Sequence, residues 1–173
     1  MHVTSPEAPP GLAAGGPIAS RRGLRWVGAI GLALGALLLL LQAVPYGRVH
    51  TNPPVRQEPA WDSAETRALA VRACFDCHSN QTEWAWYTNV APVSWLAQRD
   101  VERGRRELNF SEWDRPREGG REAAETIQKG SMPPAYYSLV HPDARLSATE
   151  RQALIQGLFA SLGQPARGRR GGD

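Results

Sequence analysis

Cys74-Phe75-Asp76-Cys77-His78 is the stretch from which the rest of the chain is read. It holds both cysteines of the 173 residues, and C-x-x-C-H is the spacing at which haem is attached covalently as c-type haem. On a helical turn Cys74 and Cys77 stand three residues apart and His78 four from Cys74, so all three side chains leave one face. Two thioether bonds would then pin an edge of the macrocycle while His78 reaches the iron as proximal ligand.

Three other chemistries share part of this pattern. A dithiol redox pair expects a βαβ pattern around C-x-x-C, and none is found. Zinc needs four ligands, yet beyond the cysteines only His2, His50, His78 and His141 remain, with no H-x-x-x-H pair. A disulfide closing so small a loop removes little chain entropy.

Upstream, Arg21, Arg22 and Arg25 lead into an apolar run over residues 26–41 that continues through Gln42 to Val44. At about 1.5 Å per residue this run matches the hydrocarbon core of a bilayer. We read residues 23–44 as a transmembrane anchor and residues 1–22, rich in Pro, Gly and Ala, as a disordered cytoplasmic N-terminus. Arginines on the N-terminal side stay in the cytoplasm, which sends the remainder across the membrane. The alternative is a cleaved signal peptide, for which Leu41-Gln42-Ala43 is a poor site. Both place the domain outside the cytoplasm, where bacteria attach c-type haem.

The formal charge of +3 belongs to the flanks. Residues 46–166 carry 14 Lys and Arg against 15 Asp and Glu, so the domain lacks the basic face that nucleic acid requires.

Downstream of the anchor, residues 45–61 contain Pro53, Pro54 and Pro59 and read as an extended linker holding the domain off the lipid. Asp62-Ser63-Ala64-Glu65 resembles a capping box with Asp62 as N-cap. The helix it opens buries Ala64, Leu69, Ala70 and Ala73 and runs into Cys74. Trp84, Trp86, Tyr87 and Trp95, with Tyr136 further on, are candidate walls for an apolar plate. Pro92 fits the first position of a helix reaching Leu108, with Val93, Leu96, Ala97 and Val101 inward and the arginines outward; Arg105 or Arg106 could pair a haem propionate. Ser111 is read as the cap of a short helical piece. A further helix spans residues 118–129, with Gly130 as its left-handed stop.

Met132 is the only methionine besides the initiator, so a thioether as sixth iron ligand can come only from it. Pro133 and Pro134 exclude helix there and would hold the sulfur in an extended segment. Ser147-Ala148-Thr149-Glu150 is a capping box for a last helix with Leu154, Ile155, Leu158 and Phe159 inward. Gly163 stops it, and residues 164–173 form a disordered tail. Residues 62–163 are thus expected to be one all-α domain.

From about residue 52 to 163 the chain resembles the bacterial haem-binding domain family of membrane-anchored, single-haem c-type cytochromes. The resemblance is carried by Cys74-Phe75-Asp76-Cys77-His78-Ser79-Asn80, by residues 84–95 from Trp84 through Pro92 to Trp95, by Asn109-Phe110-Ser111-Glu112-Trp113, by Met132-Pro133-Pro134 and by His141-Pro142. It implies a small cytochrome c-like helical fold, one covalent haem c on Cys74 and Cys77, and His78 and Met132 as axial ligands. It names no redox partner. The function expected is one-electron transfer at the membrane, on its extracytoplasmic (periplasmic) side. The alternative is a haem-based gas or peroxide sensor, or a peroxidase-like enzyme with a labile sixth ligand, for which His141 and Glu125 are the distal groups available.

Overall fold

A computed structural model describes residues 21–114 and 120–162. The expected disordered N-terminus, the tail, the start of the helix at Glu118 and the stop at Gly163 lie outside the described residues. The chain divides into two units, residues 1–41 and residues 42–173.

In the first unit, α1 spans Arg21–Leu41. Its stretch Gly23–Leu41 is 19 residues, long and apolar enough by length and composition to cross a membrane. The helix closes at Leu41, three residues short of the end of the apolar run, and Gln42 begins a turn.

The second unit is helical, as expected. Its elements are α2 (Ala64–Ala73), α3 (Phe75–His78), a 3-10 turn (Trp86–Asn89), α4 (Val93–Glu107), α5 (Gly120–Gln128), α6 (Ala135–Val140), a 3-10 turn (Pro142–Ala144) and α7 (Ala148–Leu162). Among the described residues there is no strand, only an isolated parallel bridge between Gln57 and Glu112.

α2 starts one residue later than the capping-box reading. Ser63 is the N-cap and accepts a hydrogen bond from the Thr66 amide at 3.1 Å. Asp62 is drawn away by Ser161, whose hydroxyl accepts from the Asp62 amide and donates to Asp62 Oδ1. The buried face is Thr66, Leu69, Ala70 and Ala73, and Ala64 is exposed. α7 packs on α2 and α5, and it lies so close to α2 that a Cβ at Gly157 would stand 2.0 Å from Thr66 Oγ1. Leu154, Ile155 and Leu158 are buried as expected; Phe159 is exposed, and Gly157 and Leu162 are buried with the other three. The capping box of α7 is complete: Glu150 N donates to Ser147 Oγ, and Ser147 N donates to Glu150 Oε2.

The core joins Leu69, Phe75, Phe110, Ile127, Leu154 and Leu158 with partly buried Trp61, Trp113, Cys74 and Met132. Phe75 and Phe110 are stacked 5.5 Å apart, and Trp61 tilts onto Phe110 at 5.2 Å. Each fully buried Phe or Leu contributes about 1.5–3 kcal/mol. The second residue of the C-x-x-C-H turn is therefore part of the main core.

α4 is rotated from the face its apolar residues suggest. Ser94, Val101 and Gly104 are buried, whereas Val93 and Leu96 are exposed. Pro92 is its N-cap rather than its first residue. Ser111 caps no helix: its hydroxyl accepts from the Asn80 amide at 2.9 Å, and its own amide donates to Asn109 Oδ1. Gly130 has φ of +73°, the left-handed stop after α5.

After a turn at Tyr46–Gly47, closed by Arg48 N donating to Pro45 O, the segment up to residue 61 has no helix and is laid along the domain as a strap. Arg56 and Gln57 amides donate to Ser111 O, Trp113 N donates to Gln57 O, and Asn80 Nδ2 donates to Pro54 O. Arg67 forks onto Glu58 with two hydrogen bonds of 2.7 Å.

Candidate functional site

The site grows from a break in helix. Cys74 ends α2 with φ −131° and ψ −33°, and one turn of helix, α3, restarts at Phe75 and carries Cys77 and His78. The motif turn is closed by Cys77 N and His78 N donating to Cys74 O at 3.2 and 2.8 Å. Both thiols are free and partly buried. Burial pushes each up to about 12, with Asp100 and Asp76 adding at Cys77. A redox dithiol needs the opposite, a thiol lowered toward neutrality.

His78 is held by α4. Its Nδ1 lies 3.1 Å from Gly104 O and 3.1 Å from Leu108 O, and carbonyls only accept, so Nδ1 carries the proton. Burial pulls the imidazole below its usual range, and the two carbonyls oppose that shift. A neutral ring protonated at Nδ1 presents Nε2 as a ligand, with the two carbonyls fixing both tautomer and ring orientation.

Gly104 is what lets α4 come this close. A Cβ there would stand 2.3 Å from Cys77 O and 2.8 Å from Cys77 C. Glycine inside a helix costs about 1 kcal/mol relative to alanine, so an interior glycine was the signal available in the sequence for this contact.

Asp76, the third residue of the motif, is a hub that sequence reading passed over. Its Oδ1 accepts from Glu83 N at 2.9 Å, its carbonyl from Thr82 Oγ1 at 2.6 Å, and its Oδ2 from Tyr137 OH at 2.7 Å. Tyr137 stacks on His141 at 3.9 Å. His141 Nδ1 donates to Tyr137 O at 3.0 Å, so its Nε2 accepts from Tyr87 OH at 2.8 Å. Both nitrogens of His141 are thereby engaged. Tyr136 OH donates to Asp100 Oδ2 at 2.8 Å. Burial, with Asp100 next, raises the Tyr136 phenol to about 12, and burial with Asp76 drives Tyr137 higher still. α6 is thus fastened by its two tyrosines to Asp76 and Asp100, the two carboxylates whose charge reaches Cys77.

The other expected wall residues lie as follows. Trp84 is stacked on His50 at 4.3 Å. Trp86 is 79% exposed, its ring edge-on to Tyr87. Trp95 keeps a buried Nε1 without an acceptor. The Arg105 guanidinium donates to Ser79 O, Thr51 O, Asn52 Oδ1 and Thr82 Oγ1, tying the strap to the residue after His78. Met132 packs against the core and lines a cleft of about 150 Å³ with Ile127, Pro133, Leu146 and Arg151; its lining includes neither His78 nor a cysteine.

One imidazole and two unbridged thiols thus share one turn, and one thioether packs on the same core. Among the described residues no three His, Cys, Asp or Glu side chains converge to hold a bare metal ion.

A family model described as Haem-binding domain matches residues 36–160. Neither the curated proteins nor the solved structures contain a match.

Proposed function

The chain belongs to the haem-binding domain family, and on that premise we propose that it is a mono-haem c-type cytochrome carrying single electrons at the extracytoplasmic face of the cytoplasmic membrane. In this reading α1 is an uncleaved, single-pass anchor with its N-terminus inside. Cys74 and Cys77 would hold haem c by thioethers, and His78 through Nε2 and Met132 through its sulfur would be the ligands to its iron. Haem c supplies a one-electron couple at iron.

The observation that carries the reading is the His78 tautomer. Two backbone carbonyls hold the proton on Nδ1 and leave Nε2 to a metal, beside two free thiols on one turn. The chain's work is to fix that ring, exclude water through Phe75 and the aromatic core, and keep α6 against the motif through Asp76 and Asp100. A Met/His pair raises the reduction potential and leaves iron no open position for oxygen or peroxide. Haem staining of a denaturing gel tests attachment: the wild-type band should stain, and the Cys74→Ala, Cys77→Ala double variant should not. An unstained wild-type band would sink the reading.

A second reading, a gas or peroxide sensor or a peroxidase-like enzyme, is favoured by the position of Met132 in a cleft that does not include His78. Carbon monoxide decides between them: rapid binding to the reduced protein favours the second, and none favours the carrier. For the carrier, Met132→Ala should lower the potential and open the iron to carbon monoxide.

A further inference from the structure

The second unit is bound back onto itself from its first residue, Gln42. Gln42 is bonded to Leu41, the last residue of α1, and consecutive Cα atoms are about 3.8 Å apart. Gln42 Nε2 donates to Ala91 O at 3.0 Å, and Ala91 N donates to Gln42 Oε1 at 3.0 Å. Gly47 is buried with φ of +80°, so close to α4 that a Cβ would stand 2.2 Å from Ser94 O. His50 stacks on Trp84, with Nε2 3.3 Å from Thr88 O. Residues 42–50 are therefore folded onto the 3-10 turn and the start of α4.

The surface along this seam is apolar and aromatic. Trp86 is 79% exposed and Val49 72%, and Val44, Tyr46 and Val90 are exposed beside them. Arg48 is exposed in the same segment. Exposed Trp and Tyr with aliphatic neighbours and an arginine are the composition of a membrane-water interface, where amphipathic rings sit at headgroup level and cations meet phosphate. Gln42 is the first polar side chain after the 19 apolar-rich residues of α1, so with α1 read as a membrane span the hydrocarbon boundary falls at the residue that is clipped to Ala91.

We propose that the surface formed by Val44, Tyr46, Val49, Trp86 and Val90 lies in the headgroup layer of the bilayer that α1 crosses. The domain is seated on lipid instead of hanging from a linker. This rests on the reading of α1 as a membrane span.

The test uses the haem-loaded full chain, with the motif cysteines consumed as thioethers, reconstituted at high dilution in phosphatidylcholine–phosphatidylglycerol vesicles. A nitroxide is placed in turn at Trp86→Cys, Val49→Cys and, as a water-exposed reference on α7, Gln156→Cys. Power-saturation spectroscopy then compares collisions with oxygen, which partitions into lipid, and with a nickel chelate, which stays in water. The proposal expects oxygen-to-nickel ratios several-fold higher at positions 86 and 49 than at 156. Equal, water-like ratios at all three positions in protein that resists extraction by alkaline carbonate would overturn it. So would dipolar broadening between labels at position 86, which would make the occupant a second copy. Release of the protein by carbonate would instead overturn the anchor reading itself. The second label site keeps the result readable should Trp86→Cys fold poorly.

Discussion

At position 104 one methyl group reaches the motif. The Cβ of Gly104→Ala would meet backbone atoms of Cys77 at 2.3 and 2.8 Å, and backbone cannot swing aside as a side chain can. Overpacking of this kind costs about 1–3 kcal/mol. Gly104→Ala should therefore lower the urea midpoint of the detergent-solubilised chain, and by parting α4 from His78 it should also change the visible spectrum of the haem-loaded protein. Tyr137→Phe probes the opposite side of the motif. It removes the 2.7 Å donor to Asp76, a hydrogen bond to a charged group worth about 1.5–3 kcal/mol. Loss of stability in that range with haem staining unchanged is the expected result, because neither the thiols nor His78 is touched.

At the scale of elements, two ion pairs join separate pieces of the domain and make stability fall in acid. Hydrogen bonds from Arg67, on α2, hold the Glu58 carboxyl of the strap below its ordinary value of 4.5. Hydrogen bonds from Arg72 and then Ser147 lower Glu150 to about 2. Folding favours the ionised form of both, so their contribution is complete above 4.5 and is lost as pH falls through the lowered values. Denaturation midpoints should drop below pH 4.5, and the drop should be smaller in Glu58→Gln. A further element-scale prediction concerns the cap of α7: Ser147→Ala should cost about 1 kcal/mol of unfolding free energy.

Elements were legible where their signals were local. Ser147 and Glu150, Gly130 and the α1 run each announce a helix boundary or span within a few residues. Asp62 and Ser63 both qualify as N-cap residues, and the choice between them was made by Ser161, about a hundred positions away. The apolar pattern of α4 pointed to Val93 and Leu96, but Gly104 against Cys77 and Ser94 under Gly47 set its rotation. Glycine and serine carry no hydrophobic signal, so a period-3.6 reading does not see them. The cysteines and His78 were plain from spacing alone; the carbonyls that orient His78 belong to the backbone, which a sequence does not display.

At the scale of the molecule, the strap makes residues 45–61 part of the domain, and Arg105 is its central fastener, reaching Ser79, Thr51, Asn52 and Thr82. Limited proteolysis of the wild type should leave this segment intact, whereas Arg105→Ala should be cut within it, as read by mass spectrometry of the fragments. Under the covalent reading proposed above, the burial of the motif also sets an order of events in the life of the chain. Phe75 lies in the main core, and both neighbouring thiols are raised to about 12, so a folded chain offers almost no thiolate to an attachment enzyme. Under the covalent reading, biogenesis has a window that closes with folding: the maturation machinery must meet the segment while it is still unstructured, and a chain that collapses first becomes a dead-end product that no later supply of cofactor can rescue.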